Sequence, residues 1–257
     1  MSCVNLELLA KQEYTQPAFS LPTDFSLVSI ISHRDFSTLF NGKYQGEACI
    51  IESCNRIPYR IVCKTISLLN ELNDIPNIVK LIAVTKSDSL GVVSLGYYPF
   101  NTKCMMQDID IEKGTHISLL LDLLKILKQL HKKEVFHGWI CKESVMIKEK
   151  IDGVILTGFY SAGKVGDKRP FYLKYKGMPE NQCHEDPRKD DVYGAAIWFL
   201  SFYTKPENAL DKIKSLPIEK KLKNVIRLMT SPNFEKRITA SVAIKCIQKV
   251  CPSLFSK

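Results

Sequence analysis

Two short motifs contain the residues whose types and spacing bear most directly on chemistry. The first is His137-Gly138-Trp139, and the second is Leu156-Thr157-Gly158-Phe159-Tyr160. A reaction site of this layout would place a proton-accepting acid two residues after the histidine and a metal-binding acid just before the phenylalanine. Trp139 and Gly158 hold these positions, and neither side chain can accept a proton or bind a metal ion. The motifs therefore predict the frame of a reaction site without its reactive groups.

The order of the motifs along the chain resembles that of the protein kinases. Kinases carry H-R-D-L-x-x-x-N, then D-F-G after a short hairpin, then A-P-E. Here Ser144 stands at the metal-binding Asn, Gly158-Phe159 replaces D-F, and Met178-Pro179-Glu180 resembles A-P-E. The common order over roughly 200 residues implies an α+β, bilobal protein kinase-like fold with a small β-rich N-lobe and a larger helical C-lobe.

Hydrophobic periodicity predicts the elements that must position these motifs. Turn signals at Asn41-Gly42, Asp74–Asn77 and Lys86–Asp88 separate the first strands. The predicted strands are Phe25–Ile31, Ser37–Phe40, Glu47–Ile51, Ile78–Val84, Gly91–Tyr97, Val145–Ile147 and Val154–Leu156. The predicted helices are Tyr59–Leu72, Ile117–His131, Asp191–Tyr203, Asn208–Lys214, Lys220–Thr230 and Ala240–Cys251. We expect a lead-in over 1–24, an N-lobe over 25–97 and a C-lobe over 98–257, in one pseudokinase domain.

The small lobe narrows the resemblance to one family. The run from Ser37 to Tyr44, Ser-Thr-Leu-Phe-Asn-Gly-Lys-Tyr, resembles the nucleotide loop of the mixed-lineage kinase domain-like pseudokinases. That family also has His-Gly in the catalytic loop and replaces D-F-G with a G-F-x triplet, as His137-Gly138 and Gly158-Phe159 do here. The resemblance covers about 25–257. It implies a pseudokinase domain alone, without the killer domain, as in the truncated poxviral homologues.

The positions that would hold ATP in a kinase have lost their chemistry. A phosphate-binding loop needs glycines so that the backbone can approach the phosphates, but Ser32, Arg34 and Ser37 stand there. Counting on from Ser37 places the phosphate-binding Lys at Glu52, and 53–70 contains no Glu to complete the usual ion pair. At ~4 Å and an effective dielectric of ~20, a carboxylate there would repel a phosphate by about 4 kcal/mol. With Trp139, Ser144 and Gly158 also degenerate, the resemblance implies no enzyme activity, no metal and no cofactor.

Three residues match structural positions of the kinase pattern. The resemblance implies that Glu180 pairs with Arg237 in a buried ion pair, and that Asp191 holds the backbone of the catalytic loop. His137 is expected to satisfy backbone groups and not to act as a base. Keeping such residues while losing the catalytic set indicates a shape retained for binding.

The segment that corresponds to the kinase activation segment is basic. Between Tyr160 and Lys176 five cationic side chains face the lone acid Asp167, and apart from Ser161 the segment has no Ser or Thr. In the resembled family an upstream receptor-interacting kinase switches this segment by phosphorylation. The segment is either a loop that has drifted or a decoy that docks on that kinase and cannot be switched.

Composition and net charge limit the classes of protein to which the chain can belong. Hydrophobic content of 45% and charged content of 25% are ordinary for a globular protein, and no apolar run is long enough to span a bilayer. The nine cysteines include no C-x-x-C pair, and the five histidines have no ligand spacing, so we expect free thiols, no metal site and a cytoplasmic location (the host cytoplasm, if the protein is viral). The net charge of +9 permits nucleic-acid or membrane binding, but the spread of the lysines favours a solvated surface.

The sequence therefore favours an inactive pseudokinase over an enzyme. By resemblance, its partner would be the host receptor-interacting serine/threonine kinase of the necroptosis pathway, whose capture would inhibit necroptosis. Alternatives are a pseudokinase scaffold with another, even nuclear, viral or host partner, an atypical kinase or nucleotide hydrolase, and a basic nucleic-acid or membrane binder. We expect neither a nucleic-acid nor a membrane partner.

Overall fold

The computed structural model shows a mixed α+β protein whose chain divides into two compact units. One unit contains the described residues up to Val62 and those from Leu81 to 97, and the other contains Cys63–Lys80 and those from 102 onward. The structure describes residues 25–33, 37–54, 57–87, 92–97, 102–103, 113–148, 150–167, 186–205 and 208–252.

The first unit is built on a five-stranded antiparallel sheet. Its strands follow the spatial order β1-β2-β3-β5-β4, which leaves β1 and β4 at the two edges. The inner face packs Phe25, Phe40, Cys49 and Ile51 into a core cluster. The strands are β1 (Phe25–His33), β2 (Thr38–Tyr44), β3 (Glu47–Cys54), β4 (Leu81–Ser87) and β5 (Val92–Tyr97).

The turn between β2 and β3 lies four residues later than the sequence predicts. Asn41-Gly42 is not a turn but lies inside β2, where Gly42 pairs with Cys49 across the ladder. A Cβ on Gly42 would lie 2.6 Å from the carbonyl oxygen of Ser26, so glycine here permits close packing and not a turn. The turn is made by Gln45 and Gly46, both of which have positive φ, as a tight hairpin requires.

The second unit is mainly helical and adds short strands. The helix α1 (Tyr59–Glu71) crosses the division between the units, and the described residues form five further helices in the second. These are α2 (Lys113–Lys132), α3 (Arg188–Leu200), α4 (Ala209–Lys212), α5 (Lys220–Met229) and α6 (Ala240–Val250). The strands are β6 (Thr102–Lys103), β7 (Val135–Phe136), β8 (Val145–Lys148), β9 (Val154–Leu156) and β10 (Gly163–Lys164).

Two helices form the centre of the second unit. Along α2 the stripe of leucines at helical spacing is fully buried, as its period requires: Leu120, Leu123, Leu124, Leu127 and Leu130. The helix α3 is buried on all sides from Asp190 to Leu200. Both helices pack beside β7, so they fix the loop that follows this strand.

Most predicted elements agree with the structure to within a few residues at their ends. The prediction is wrong for Ile78, which forms an isolated bridge with Leu156 ahead of β4, and for Lys86 and Ser87, which belong to β4 and not to a turn. The two-residue strands β6, β7 and β10 were not predicted. The cysteines of the described part, Cys49, Cys54, Cys63, Cys141, Cys246 and Cys251, are free thiols, as expected. Among the helices described, none has both the length and the apolarity needed to cross a membrane.

Candidate functional site

The loop after β7 begins with a buried histidine that serves the backbone. His137 is 0% exposed, and its Nε2 lies 2.9 Å from the carbonyl oxygen of Thr157. The amide of Trp139 donates to Nδ1 at 3.3 Å. Since a carbonyl can only accept, these partners assign the ring proton to Nε2. Both ring nitrogens are therefore used by main-chain groups, which confirms the role expected of His137.

Asp191, in the first turn of α3, connects that helix to the same loop. Its two carboxylate oxygens accept hydrogen bonds from the amides of His137 and Gly138, each at 2.8 Å. His131, near the end of α2, lies with Nε2 3.0 Å from Oδ2. This is the contact with the loop backbone that the sequence led us to expect of Asp191. A fully buried carboxylate with three such partners positions the loop.

Trp139 and Ser144, at which the resemblance places a catalytic base and a metal-binding amide, take part in the hydrogen bonding of the loop. The Ser144 hydroxyl donates to the carbonyl oxygen of Trp139 at 2.8 Å and accepts from the amide of Cys141 at 3.0 Å. Trp139 itself is half-buried. Burial, with the nearby Glu143 carboxylate, raises the pKa of Cys141 to about 12, so this thiol stays protonated at neutral pH. None of these three groups is set up to react.

The second motif forms a glycine-dependent turn. Gly158 has φ 75° and ψ 45°, which lie in the left-handed region, and precedes a short 3₁₀ helix over Phe159–Ser161. The Phe159 ring is buried and meets the His137 ring edge-on, with centroids 4.7 Å apart. Thr65 of α1 donates its hydroxyl proton to the carbonyl oxygen of Phe159 at 3.4 Å. The motif therefore packs against the loop and α1 through apolar and backbone groups.

In the first unit, the position at which the resemblance places a phosphate-binding lysine is closed to solvent. Glu52 of β3 is 0% exposed, and the Ser37 hydroxyl donates to its Oε1 at 2.6 Å. The structure thus joins two residues that the sequence assigned to separate parts of a nucleotide site. Ser32 lies on β1 with its backbone opposite Leu39. Arg34 lies outside the described residues.

Arg237 has a carboxylate partner that the sequence analysis missed. Its Nη1 donates to Asp190 Oδ1 at 2.7 Å, and both side chains are almost completely buried. Nε and Nη2 donate to the carbonyl oxygen of Ser231. The predicted partner, Glu180, lies outside the described residues, so that pair stays a prediction.

Two adjacent acids begin α3 and serve different partners. Because successive residues of a helix point about 100° apart, Asp190 and Asp191 cannot face the same group. Asp190 meets Arg237, while Asp191 meets the loop after β7. This spacing was the signal that could have identified Asp190. His131 gave no comparable signal, because its contact with Asp191 joins residues 60 positions apart.

Around these motifs the described side chains form exposed ion pairs and not a metal-ligand cluster. They include no group of three His, Cys, Asp or Glu side chains placed to hold a metal ion. Exposed ion pairs, Lys64–Asp167 at 2.9 Å and Lys164–Glu71 at 2.9 Å, flank the segment after Gly158. The hydrogen bond from Lys64 lowers the pKa of Asp167. These ion pairs join the segment after Gly158 to α1.

No model of a known protein family matches this chain.

Proposed function

We propose that this chain is a catalytically inactive pseudokinase that acts by binding. Its partner is the host receptor-interacting serine/threonine kinase of the necroptosis pathway. Bound to this protein, that kinase is kept from the host executioner, and necroptosis is inhibited. In this proposal the two units correspond to the lobes of a protein kinase-like fold of the mixed-lineage kinase domain-like family.

The observation that carries the proposal is that the Glu52 side chain is buried and hydrogen-bonded to Ser37. An ATP-binding kinase needs a cation at this point of the third strand to pair with phosphates. Here the position holds a fully buried carboxyl group that accepts a hydrogen bond from Ser37. Ser37 itself stands where the resemblance places a glycine of the phosphate loop. One contact therefore uses two nucleotide-site positions for internal packing.

The second unit supports the same conclusion independently. His137, Ser144 and Asp191 keep a loop of defined shape, while their polar atoms are bonded to the main chain. A loop that has only drifted would have no need for a buried carboxylate with three partners, because burying a charge is costly. The scaffold is maintained although the groups that would do chemistry are absent.

A thermal-shift titration with ATP, with and without Mg²⁺ or Mn²⁺, tests the inactive state. A ligand present at 100 times its Kd would add about 2.7 kcal/mol to the free energy of unfolding. This is enough to move the Tm by several degrees. We expect no such shift. A large metal-dependent shift would overturn the proposal in favour of an atypical kinase or nucleotide hydrolase.

Co-precipitation tests the partner. The full chain, expressed in human and rodent cells, should capture the receptor-interacting kinase and reduce necroptotic death after stimulation. Failure to capture that kinase across several hosts would sink the partner claim. Mass spectrometry of the same precipitates would then show whether the scaffold binds a different target, a nuclear one included.

A further inference from the structure

A cavity of about 360 Å³ lies in the second unit, and its lining includes His131, whose ring contacts Asp191. It is lined by the last turns of α2, the start of α3 and the start of α6. Four of its lining side chains are cationic: Lys128, Lys132, Arg188 and Lys189. The only acid among the described lining residues is Asp186.

The one acid is already neutralised. Arg188 donates from Nε to Asp186 Oδ1 at 2.7 Å and from Nη2 to Oδ2 at 3.1 Å, so the two side chains form a bidentate ion pair. Burial raises the pKa of Asp186, but the hydrogen bonds and charge of Arg188 outweigh it, and the pKa lies below its usual range. Asp186 is therefore ionised and bound to Arg188, so it does not set the charge of the cavity.

The three lysines of the lining have no carboxylate partner among the described residues. Lys128 and Lys132 lie four residues apart on one face of α2, and among the described residues no carboxylate forms an ion pair with either. Lys189 donates from Nζ to the carbonyl oxygens of Phe234 and Glu235, at 3.1 and 3.4 Å. These carbonyls fix its position but do not cancel its charge.

The start of α6 supplies hydrogen-bond donors to the same cavity. The side chain of Thr239 caps this helix by accepting from the amide of Val242 at 3.4 Å. The amides of Ala240 and Ser241 lie in the first turn of the helix, where no carbonyl one turn earlier can accept from them. Neither these amides nor the Ser241 hydroxyl has a hydrogen-bond partner among the described residues. The first turn of α6 holds no acid, so its partial positive charge is not compensated.

We propose that this cavity binds a phosphate monoester, with the dianion between Lys128, Lys132 and the amino end of α6. Lys128 and Lys132, which have no carboxylate partner among the described residues, match the charge of the dianion. Lys189, whose ammonium also lies over the Phe234 ring, adds a third positive charge. The two amides and the hydroxyl match its three strongly accepting oxygens. A cavity of this size also admits the organic group that the phosphate carries. The proposed site does not use Glu52, Trp139, Ser144 or Gly158, and the proposal does not rest on the proposed function.

Calorimetric titration of the full chain tests the site. The probes are inorganic phosphate, O-phospho-L-serine and the peptide Gly-phosphoserine-Gly, with Gly-Ser-Gly as the unphosphorylated match. We expect the phosphorylated probes to bind and Gly-Ser-Gly not to bind. Tighter binding of the peptide than of inorganic phosphate identifies a phosphorylated protein as the source. Equal binding identifies a small phosphate compound, and absence of binding by all three phosphorylated probes overturns the proposal.

Three variants separate the site from general charge and from folding. The double variant Lys128→Gln/Lys132→Gln should weaken binding by about tenfold or more. Lys125→Gln is the matched control, because Lys125 lies on the same helix but pairs with Asp122 and does not line the cavity, so it should change affinity by less than about twofold. Ser241→Asp should abolish binding while it preserves or raises the Tm, since an acid suits a helix amino end. Equal weakening by Lys125→Gln, or full binding by Ser241→Asp, would contradict the site.

Discussion

Gly138 shows, at the scale of a single residue, how closely the loop after β7 is packed. Its φ is +80°, and a Cβ built there would lie 2.5 Å from the carbonyl oxygen of Ser161. Gly138→Ala should therefore lower the free energy of unfolding by about 3 kcal/mol, from the left-handed backbone and from the clash together. Urea denaturation measures this loss.

Gly166 is a matched control for that variant. It also has a positive φ, +92°, but nothing lies within 4 Å of a Cβ built on it. Gly166→Ala should cost only about 1 kcal/mol, which is the conformational part alone. Equal losses in the two variants would show that the contact with Ser161 does not matter.

The hydrogen bond between Ser37 and Glu52 gives a second prediction. Ser37→Ala removes the donor 2.6 Å from a fully buried carboxyl group. Because a buried polar group without a hydrogen-bond partner keeps its full desolvation cost, the free energy of unfolding should fall by about 1–3 kcal/mol. Ser29→Ala is the comparison, since Ser29 accepts from Asn41 on the exposed side of β1, and its loss should be within about 0.5 kcal/mol. An unchanged free energy of unfolding in Ser37→Ala would contradict the role of this hydrogen bond to the buried Glu52.

Sequence reasoning reached the positions of these residues but not their partners. Alignment with a known motif order identified Glu52, Ser144 and Asp191 as positions where chemistry is absent or a frame is held. It could not show that Ser37 meets Glu52, because that contact depends on the register of β2 against β3. Register is set by packing across the sheet, which local pattern does not contain.

At the scale of elements, Asp191 ties α3 to the loop after β7. In Asp191→Asn one carboxylate oxygen becomes an NH₂ group that faces an N–H donor, so one of the two loop amides loses its acceptor. We expect the free energy of unfolding to fall by about 3 kcal/mol. The amide protons of His137 and Gly138 should also exchange faster with solvent, which hydrogen-exchange NMR measures.

The control for Asp191→Asn is an exposed acid on a helix. Asp211→Asn in α4 removes a carboxylate that is exposed to solvent, and it should change stability by no more than about 0.5 kcal/mol. Unchanged exchange at His137 and Gly138 in Asp191→Asn would show that the loop does not depend on the carboxylate.

Helices were easier to predict than strands in this chain, for a physical reason. The leucine stripe of α2 repeats over many turns, so its period is clear in the sequence alone. Strands β7 and β10 have two residues each and exist only because Gly163 and Lys164 pair with Phe136 and Val135. Gly42 misled the prediction, because a glycine needed for close approach and a glycine needed for a turn look alike in sequence.

At the scale of the whole molecule, the two compact units do not follow a single cut in the sequence. The change from strand-like to helical texture predicted one boundary, after residue 97. The structure also assigns Cys63–Lys80 to the second unit. There the amide of Val79 donates to the carbonyl oxygen of Leu156 at 3.0 Å, and Lys133 pairs with Asp74 at 2.6 Å. Contacts between residues so far apart in the sequence leave no local sequence pattern from which they could be predicted.

The stability of the molecule should depend on pH through His116. This ring is 7% exposed, stacks on Phe202 with centroids 4.4 Å apart and lies 3.0 Å from the Tyr203 hydroxyl. Burial lowers the pKa of His116. The unfolded chain, with a histidine pKa near ~6.5, therefore binds the proton more readily than the folded one. The free energy of unfolding should fall as pH drops through about 6.5, and the fall should end below the folded pKa.

Urea denaturation between about pH 8 and pH 5 measures this slope. His116→Phe should flatten it, whereas His33→Gln, which changes an exposed ring, should leave it unchanged. A slope that is the same in His116→Phe would mean that another group carries the dependence.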